Sequence, residues 1–308
     1  MSVIDSSKPI LVYLANGVQG GAVVRAALSR GFRVRAIVRD RVRSEALRRL
    51  GAELAEGDLS DAASLRAATS SVAHAVIQIP IGPEAQMRAH VENALSASRS
   101  CGLASVILKL ASASRRAPCE EPSFVANAMI EDRVRQSGLP FAIVRPTMYL
   151  DNLLKPSARQ EIVEQGVFMP PIAASQRIAW TSAEDCAEAA VMLLERGVYG
   201  GDHRVAGPDS LTGDELANRI AAGLGRSVSY RAQPLDEFER DVDAAMGPGV
   251  GRRVASKFYY FARHRDEAEA ILATPFSRLP GLEHFRARDV ETWVRRHRED
   301  FLTGGLWE

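Results

Sequence analysis

The sequence predicts an α/β protein with a doubly wound parallel sheet and a smaller, mostly helical C-terminal lobe. Short apolar runs alternate with amphipathic segments through the first half of the chain, which is typical of strands separated by crossover helices. The predicted strands are mostly apolar, and strands buried on both faces are nearly all apolar. The second half loses this alternation and shows mainly helical periodicity. Together these observations predict the fold class.

Six strands are predicted in the first half, separated by turns and helices. The first apolar run, 10–14, leads through a turn into a helix at 20–30 with one apolar face. The sixth strand is stopped by Arg145-Pro146. The later strands are predicted at 32–38, 52–56, 74–79, 105–110 and 141–144. Further helices are predicted at 44–50, after the turn at 57–65, at 84–101 and at 123–137.

Capping signatures define two helices of the second half. Ser182 with Asp185 opens a helix at 181–195, and Thr212 with Glu215 opens another at 211–225. A short strand is predicted at 226–230, and the chain from 236 onward reads as mostly helical with an interruption at 246–251. The predicted domains are 1–150 and 151–308. They interleave if helix 181–195 packs on the main sheet.

Composition narrows the range of partners. The 308 residues carry a net charge of +1, and the arginines alternate with acids, so we expect neither nucleic acid nor a membrane surface as a partner. No apolar run approaches the ~20 residues that span a bilayer. The opening Met-Ser-Val-Ile-Asp-Ser-Ser-Lys does not resemble a signal peptide. We expect a cytoplasmic protein that acts on a small molecule, with a homodimer or a protein partner left open.

The cysteines indicate no redox or metal chemistry. They show neither the spacing of a zinc site nor that of a redox pair, so we expect reduced thiols and no metal. The three are Cys101, Cys119 and Cys186.

A glycine-rich turn after the first strand predicts a Rossmann-type dinucleotide site. Its glycines let the backbone approach a pyrophosphate, which then meets the amino end of the following helix. Leu14 stands where a complete fingerprint has its first glycine, and a leucine there requires negative φ or suffers strain. The residues of the turn that we expect to contact the cofactor are Leu14, Asn16, Gly17, Gln19 and Gly20.

Arg39 predicts NADP(H) as the cofactor. It follows the second predicted strand, about 20 residues after the turn, where a Rossmann site holds the adenosine ribose. A guanidinium pairs with a 2′-phosphate through two hydrogen bonds. The adjacent Asp40 keeps NAD open, because a carboxylate at this place accepts from the 2′-hydroxyl.

Several segments resemble the NmrA-like branch of the atypical short-chain dehydrogenases/reductases, in order over about 9–230. They are 16–28, 34–40, 57–65, 137–154 and 181–190. The resemblance implies a Rossmann sheet, NADP(H) and a small C-terminal substrate lobe. The family includes reductases of quinones and other conjugated substrates, and also non-catalytic redox sensors.

The resemblance also assigns further cofactor contacts. It places Asp58 and Leu59 beside the adenine. It implies that Gln78, Ile79 and Pro80 line the ribose, and that Pro146 and Thr147 approach the nicotinamide.

The chain departs from the family at its catalytic residues. The helix lysine of many catalytic members falls on Asn127, and no Tyr-x-x-x-Lys occurs in the sequence. Ser112, after the fifth strand, is a candidate to polarise a carbonyl, and Asn127 to bond a ribose or nicotinamide without supplying charge. Tyr149 is a candidate pocket residue. We expect Lys109, one residue inside the strand end, to extend from a sheet edge into solvent rather than serve the pocket.

Three functions remain open, of which we favour the first. It is an NADPH-dependent oxidoreductase that delivers hydride to a small conjugated, quinone-like or carbonyl substrate. The second is a non-catalytic NADP(H)-binding redox sensor. The third is a cofactor-free enzyme of the isomerase or cyclase type, using a cleft that Leu14 has closed to the dinucleotide.

Overall fold

The computed structural model describes residues 7–303. The absence of a signal peptide, predicted from residues 1–8, therefore falls largely outside the described residues. The described chain divides into two compact units. The first comprises the chain up to Pro146, Ala183–Val205 and Arg278–Arg286. The second comprises Thr147–Ser182, Ala206–Ser277 and the chain from Ala287 onward.

Strands within the described residues fall into two parallel sheets. They are β1 (Ile10–Val12), β2 (Val34–Val38), β3 (Glu53–Glu56), β4 (His74–Ile77), β5 (Ser105–Lys109), β6 (Phe141–Pro146), β7 (Val167–Phe168), β8 (Asp202–Val205) and β9 (Ser229–Tyr230). The first unit holds a seven-stranded sheet of order β3-β2-β1-β4-β5-β6-β8, in which every neighbouring pair is parallel. The second unit holds the pair β7-β9. The predicted fold class is confirmed.

The helices of the described chain range from one turn to nearly five. They are α1 (Val18–Ser29), α2 (Glu45–Arg49), α3 (Ala62–Thr69), α4 (Glu84–Ser100), α5 (Pro122–Arg135), α6 (Pro156–Gln160), α7 (Ala183–Arg196), α8 (Gly213–Leu224), α9 (Leu235–Met246), α10 (Val250–Arg263), α11 (Arg265–Leu272), α12 (Val290–Arg296) and α13 (Arg298–Thr303). Between residues 7 and 303, no helix is both long and apolar enough to cross a membrane.

Two groups of helices pack around the large sheet. Helices α3, α4 and α5 cover one apolar core, to which β5 contributes Val106 and Leu108. Helices α1 and α7 pack against each other, and α7 also contacts β5 and β6. Alternate side chains of a strand point to opposite faces, so each interior strand serves both cores. This explains why these strands are mainly apolar.

Two strands, β7 and β8, were not predicted from the sequence. β8 reads Asp-His-Arg-Val and joins the large sheet beside β6, with Ile143 opposite Asp202. Its composition shows neither an apolar run nor clean alternation, because it is an edge strand with one partner. The β7 strand has only two residues, too few for any periodic signal.

Charged groups secure the junction of α5, β6 and β8. Glu131 on α5 has a side chain only 5% exposed, and it accepts two hydrogen bonds from Arg145 of β6, one from Nε at 2.7 Å. Arg145 also pairs with Asp202 of β8 at 3.0 Å. Burial alone lowers the pKa of Arg145, but the two carboxylates outweigh burial and raise it. The guanidinium is therefore held charged between three elements.

The second unit contains the best example of a locally encoded element. Thr212 Oγ1 accepts from the Glu215 amide at 3.3 Å, and the Glu215 carboxylate accepts from the Thr212 amide at 2.9 Å. Helix α8 ends at Gly225, whose φ of +70° is the left-handed conformation that glycine favours. The predicted capping box and C-cap are both confirmed.

Candidate functional site

Leu14 takes the left-handed conformation at the turn between β1 and α1. Its φ is +52°, and its carbonyl accepts from the Gly17 amide at 3.0 Å. The leucine therefore adopts the strained alternative, at a cost of about 1–2 kcal/mol. Gly20 packs against this peptide so closely that a Cβ there would lie 2.1 Å from Leu14 O. The turn thus has a glycine-like path without its first glycine.

The amino end of α1 is open toward an anion. Gly17 is the N-cap residue, it is exposed, and no side chain caps the first turn. The first turn also contains no acidic residue. The first N–H groups of a helix have no partner within the helix, and the helix dipole adds positive potential there. These residues fit a diphosphate.

Two charged residues follow β2. Arg39 is exposed and its side chain has no ion-pair or hydrogen-bond partner among the described residues, whereas the carboxylate of Asp40 is hydrogen-bonded to the backbone of the next loop. Asp40 Oδ1 accepts from the amides of Val42 and Arg43, at 2.8 and 3.1 Å. Asp40 thereby shapes the loop, whereas the guanidinium of Arg39 remains available to a ligand.

A hydrogen-bond chain that was not predicted ties this loop to the glycine turn. Asn16 Nδ2 donates to Ser44 Oγ at 2.7 Å, and Ser44 Oγ donates to the Asp40 carbonyl at 2.6 Å. Ser44 is 1% exposed. Since it lies 28 residues from Asn16, no local pattern indicates this role.

The end of β4 supports the turn from beneath. Gln78 is buried, and its Nε2 donates to the Tyr13 carbonyl at 3.1 Å. Ile79 is buried beside it, and Pro80 is exposed. Burial raises the pKa of the Tyr13 phenol, so this group stays neutral and is unsuited to deliver a proton.

The loop after β3 carries Asp58 and Leu59. The Asp58 carboxylate accepts from the Ser60 amide at 2.7 Å, which fixes the loop before α3. Leu59 packs in the core beneath α4, and its carbonyl accepts from Asn93 at 2.9 Å. Both side chains have structural partners in this unit, and their contact with an adenine stays a prediction.

Lys109 is buried, and the expected extension into solvent was wrong. The residue is 1% exposed, and its Nζ donates to Gln19 Oε1 at 2.6 Å. The physical reason is that β5 lies between β4 and β6 and is not an edge. The lysine therefore points into the layer beneath α1, where it reaches the first turn of that helix.

Ser112 and Asn127, predicted separately, are hydrogen-bonded to each other. Asn127 on α5 is 3% exposed, and its Nδ2 donates to Ser112 Oγ at 3.0 Å and to the Ala113 carbonyl at 2.7 Å. The amide thus holds the loop after β5 and also occupies a lone pair of the serine oxygen. The Ser112 hydrogen remains free to point elsewhere.

The remaining predicted residues lie at the end of β6 and in the second unit. Pro146 is the last residue of β6 and belongs to the first unit. In the second unit, Thr147 donates through Oγ1 to the Ala179 carbonyl, and the buried Tyr149 forms a parallel bridge with Thr181. The hydroxyl hydrogen of Thr147 is therefore engaged within its own unit. A role for any of the three at a nicotinamide stays a prediction.

Within the described residues, five of the predicted cofactor contacts of the first unit lie in one group linked by hydrogen bonds: Leu14, Asn16, Gly17, Gln19 and Gln78. This group joins the glycine turn to the ends of β2, β4 and β5. No cluster of metal-ligating side chains occurs within residues 7–303. Chemically, the group provides an uncapped helix end and a buried lysine, and the exposed Arg39 adds a free guanidinium at the end of β2. These features suit a phosphorylated ligand.

The fold and this site define the class as Rossmann-type nucleotide-binding proteins. The sequence model of the NmrA-like family matches residues 6–292, and the chain belongs to that family. The chain is 30% identical over 250 residues to an NAD(P)H azoreductase of Xenophilus azovorans, covering 80% of this chain and 83% of the relative.

Two solved structures share the fold. One is the triphenylmethane reductase of Citrobacter sp., with a TM-score of 0.76 and 20% identity, covering 94% of this chain and 99% of that one. The other is an NADPH-dependent quinone oxidoreductase of Escherichia coli solved with NADPH, with a TM-score of 0.74 and 20% identity, covering 93% and 99%.

Proposed function

We propose that the protein is an NADPH-dependent oxidoreductase that delivers hydride to a small conjugated, quinone-like or carbonyl acceptor. The shape of the glycine turn carries this proposal, because Leu14 accepts strain to keep the path that leaves the end of α1 open. Strained backbone conformations cluster at ligand-binding sites, and this one lies directly before the open end of α1. The similarity to the azoreductase supports the same class of reaction.

Arg39 supports NADPH over NADH. Its guanidinium is exposed and free of partners within 7–303, whereas the Asp40 carboxylate is engaged by two backbone amides. A hydrogen bond to a charged group contributes about 1.5–3 kcal/mol. Arg39 is thus placed to bind the 2′-phosphate of NADPH. Asp40 is less available to accept from the 2′-hydroxyl of NADH, because it already accepts from two amides.

Titration calorimetry of the cofactor-stripped protein tests this assignment. We expect NADPH to bind more tightly than NADH, and Arg39→Ala to weaken NADPH binding by at least tenfold while leaving NADH unchanged. Arg49→Ala, an exposed arginine at the end of α2, is the control and should change neither. Equal loss for both nucleotides in Arg39→Ala would contradict a 2′-phosphate contact.

The chemistry needs one proton besides the hydride. When bound, NADPH would supply the hydride. A carbonyl would take the hydride on carbon and the proton on oxygen to become an alcohol, and a quinone would take both to become a hydroquinone. Ser112 donates its hydrogen to that oxygen and recovers a proton from water. Asn127 is the positioning residue, because its amide hydrogen bond turns the serine hydrogen away from α5. This pair takes the place of the absent tyrosine and lysine.

Ser112→Ala is expected to lower kcat for quinone reduction by about 100-fold, the lower range for a lost general acid. NADPH affinity should remain, because Ser112 does not support the glycine turn. Ser29→Ala serves as control, since that exposed serine bonds only a carbonyl of its own helix. Steady-state kinetics with a quinone panel measures both. An unchanged kcat in Ser112→Ala would remove the serine from the mechanism.

The same measurements separate the other two functions. A protein that binds NADPH but reduces no quinone, azo dye or enone would be the redox sensor. A protein that binds neither nucleotide would support the cofactor-free enzyme, and the oxidoreductase and the sensor would be excluded together.

A further inference from the structure

Lys109 places a buried amino group, hydrogen-bonded to Gln19, on the α1 side of the large sheet. Its strand neighbours Leu108 and Leu110 belong to the core under α4 and α5. Because side chains alternate along a strand, Lys109 faces the opposite layer, which α1 and α7 occupy. An ammonium is costly to bury unless it is hydrogen-bonded or paired. A chain that needed only packing at this position would carry an apolar residue.

The contact with Gln19 fixes the orientation of the glutamine amide. Lysine has only donors, so the atom facing Nζ at 2.6 Å must be the amide oxygen. The Nε2 group, with its two hydrogens, is then turned away from the lysine. Within residues 7–303, no group accepts from it. Gln19 is half-buried in the first turn of α1, next to the uncapped amides.

We propose that Lys109 is a positioning residue that holds Gln19 as a hydrogen-bond donor to the diphosphate of the bound dinucleotide. This inference rests on the proposed function and assigns Lys109 and Gln19 to the binding of the cofactor's diphosphate. The lysine also adds positive charge behind the helix end, from the sheet rather than from α5. It thereby supplies a cation to the site. Many catalytic members of the family carry a lysine on α5, where this chain has the uncharged Asn127.

Gln19→Glu is the most selective test. The carboxylate keeps an oxygen for Lys109, converting the hydrogen bond into an ion pair, and an acid in the first turn of a helix is favourable. The melting temperature should therefore be unchanged or higher. The outward group becomes an acceptor with negative charge, so we expect NADPH binding to weaken by at least 30-fold. Gln136→Glu, the same charge change at the far end of α5, should leave binding unchanged.

A double-mutant cycle tests whether the lysine acts through the glutamine. We expect Lys109→Met and Gln19→Met each to weaken NADPH binding about tenfold, and the double variant to be no weaker than either. Calorimetry gives the affinities, and thermal unfolding shows whether each variant is folded. If Lys109→Met fails to fold, Lys109→Gln takes its place in the cycle, and Gln19→Glu tests the contact of Gln19 with the diphosphate separately.

Two results would overturn the proposal. One is wild-type NADPH affinity in Gln19→Glu, which would show that Nε2 does not face the ligand. The other is additive loss, about 100-fold in the double variant, which would show that the lysine acts independently. Failure of the proposed function looks different, because the wild-type protein itself would then bind neither NADPH nor NADH.

Discussion

Gly20→Ala is expected to destabilise the first unit severely. The added Cβ would lie 2.1 Å from Leu14 O, 2.6 Å from Leu14 C and 2.9 Å from Tyr13 O. All three are backbone atoms, so no side-chain rotation relieves the overlap. We expect a loss of at least about 3 kcal/mol in the free energy of unfolding, the upper range for overpacking. Urea unfolding followed by circular dichroism measures it.

Gly17→Ala is the matched variant for the same turn. Gly17 has a φ of −80°, and its Cβ would meet Leu14 O at 3.4 Å, which is ordinary contact. Its unfolding free energy should stay close to that of the wild type. The methyl group would nevertheless stand where the backbone meets the diphosphate, so NADPH binding should weaken at least tenfold. A stable Gly20→Ala, or a Gly17→Ala that binds normally, would refute this account of the turn.

Glu131→Ala is expected to cause the second large effect. The change leaves the partly buried Arg145 with only Asp202 as a carboxylate partner. The two hydrogen bonds that Glu131 accepts from Arg145 involve charged groups and contribute about 1.5–3 kcal/mol each, so the loss is about 3–6 kcal/mol. At the lower value, the melting temperature should fall by roughly 6–12 °C. Differential scanning calorimetry gives the shift.

Asp132→Ala provides the control on the same helix. Asp132 pairs with Arg116, whose side chain is 73% exposed, so the pair is screened by water and contributes little. Its melting temperature should stay within about 2 °C of the wild type. Equal shifts in melting temperature for Glu131→Ala and Asp132→Ala would show that the buried Glu131 ion pairs stabilise the protein no more than the exposed Asp132 pair.

What the sequence predicted correctly is encoded within a few residues. The capping box at Thr212 and the glycine cap at Gly225 each depend on contacts inside one helical turn. The mainly apolar composition of the runs that form β1 to β6 predicts by itself that these strands are buried. The boundaries were less accurate at the glycine turn, where β1 ends at Val12 and α1 begins at Val18. A strained residue such as Leu14 interrupts the strand without any change in hydrophobicity.

What it missed depends on partners distant in the chain. β8 is a strand only because β6 offers it a hydrogen-bonding edge, and four mixed residues carry no signal of that edge. Lys109 is buried because β6 lies beyond β5, a fact of sheet order that the lysine's own neighbours do not reveal. The Asn16–Ser44 bond likewise exists because the β2 loop returns to the glycine turn. Local sequence propensity predicts neither the β8 strand, nor the burial of Lys109, nor the Asn16–Ser44 hydrogen bond.

The first unit is assembled from three stretches of chain, and this matters during synthesis on the ribosome. At about 5–20 residues per second, β6 emerges several seconds before the β8 stretch ending at Val205. During that interval the outer edge of β6 has no strand beside it, and such edges are prone to pair with other chains. Arg145, a charged residue within β6, makes that waiting edge a poor template for aggregation while the nascent chain is unfinished.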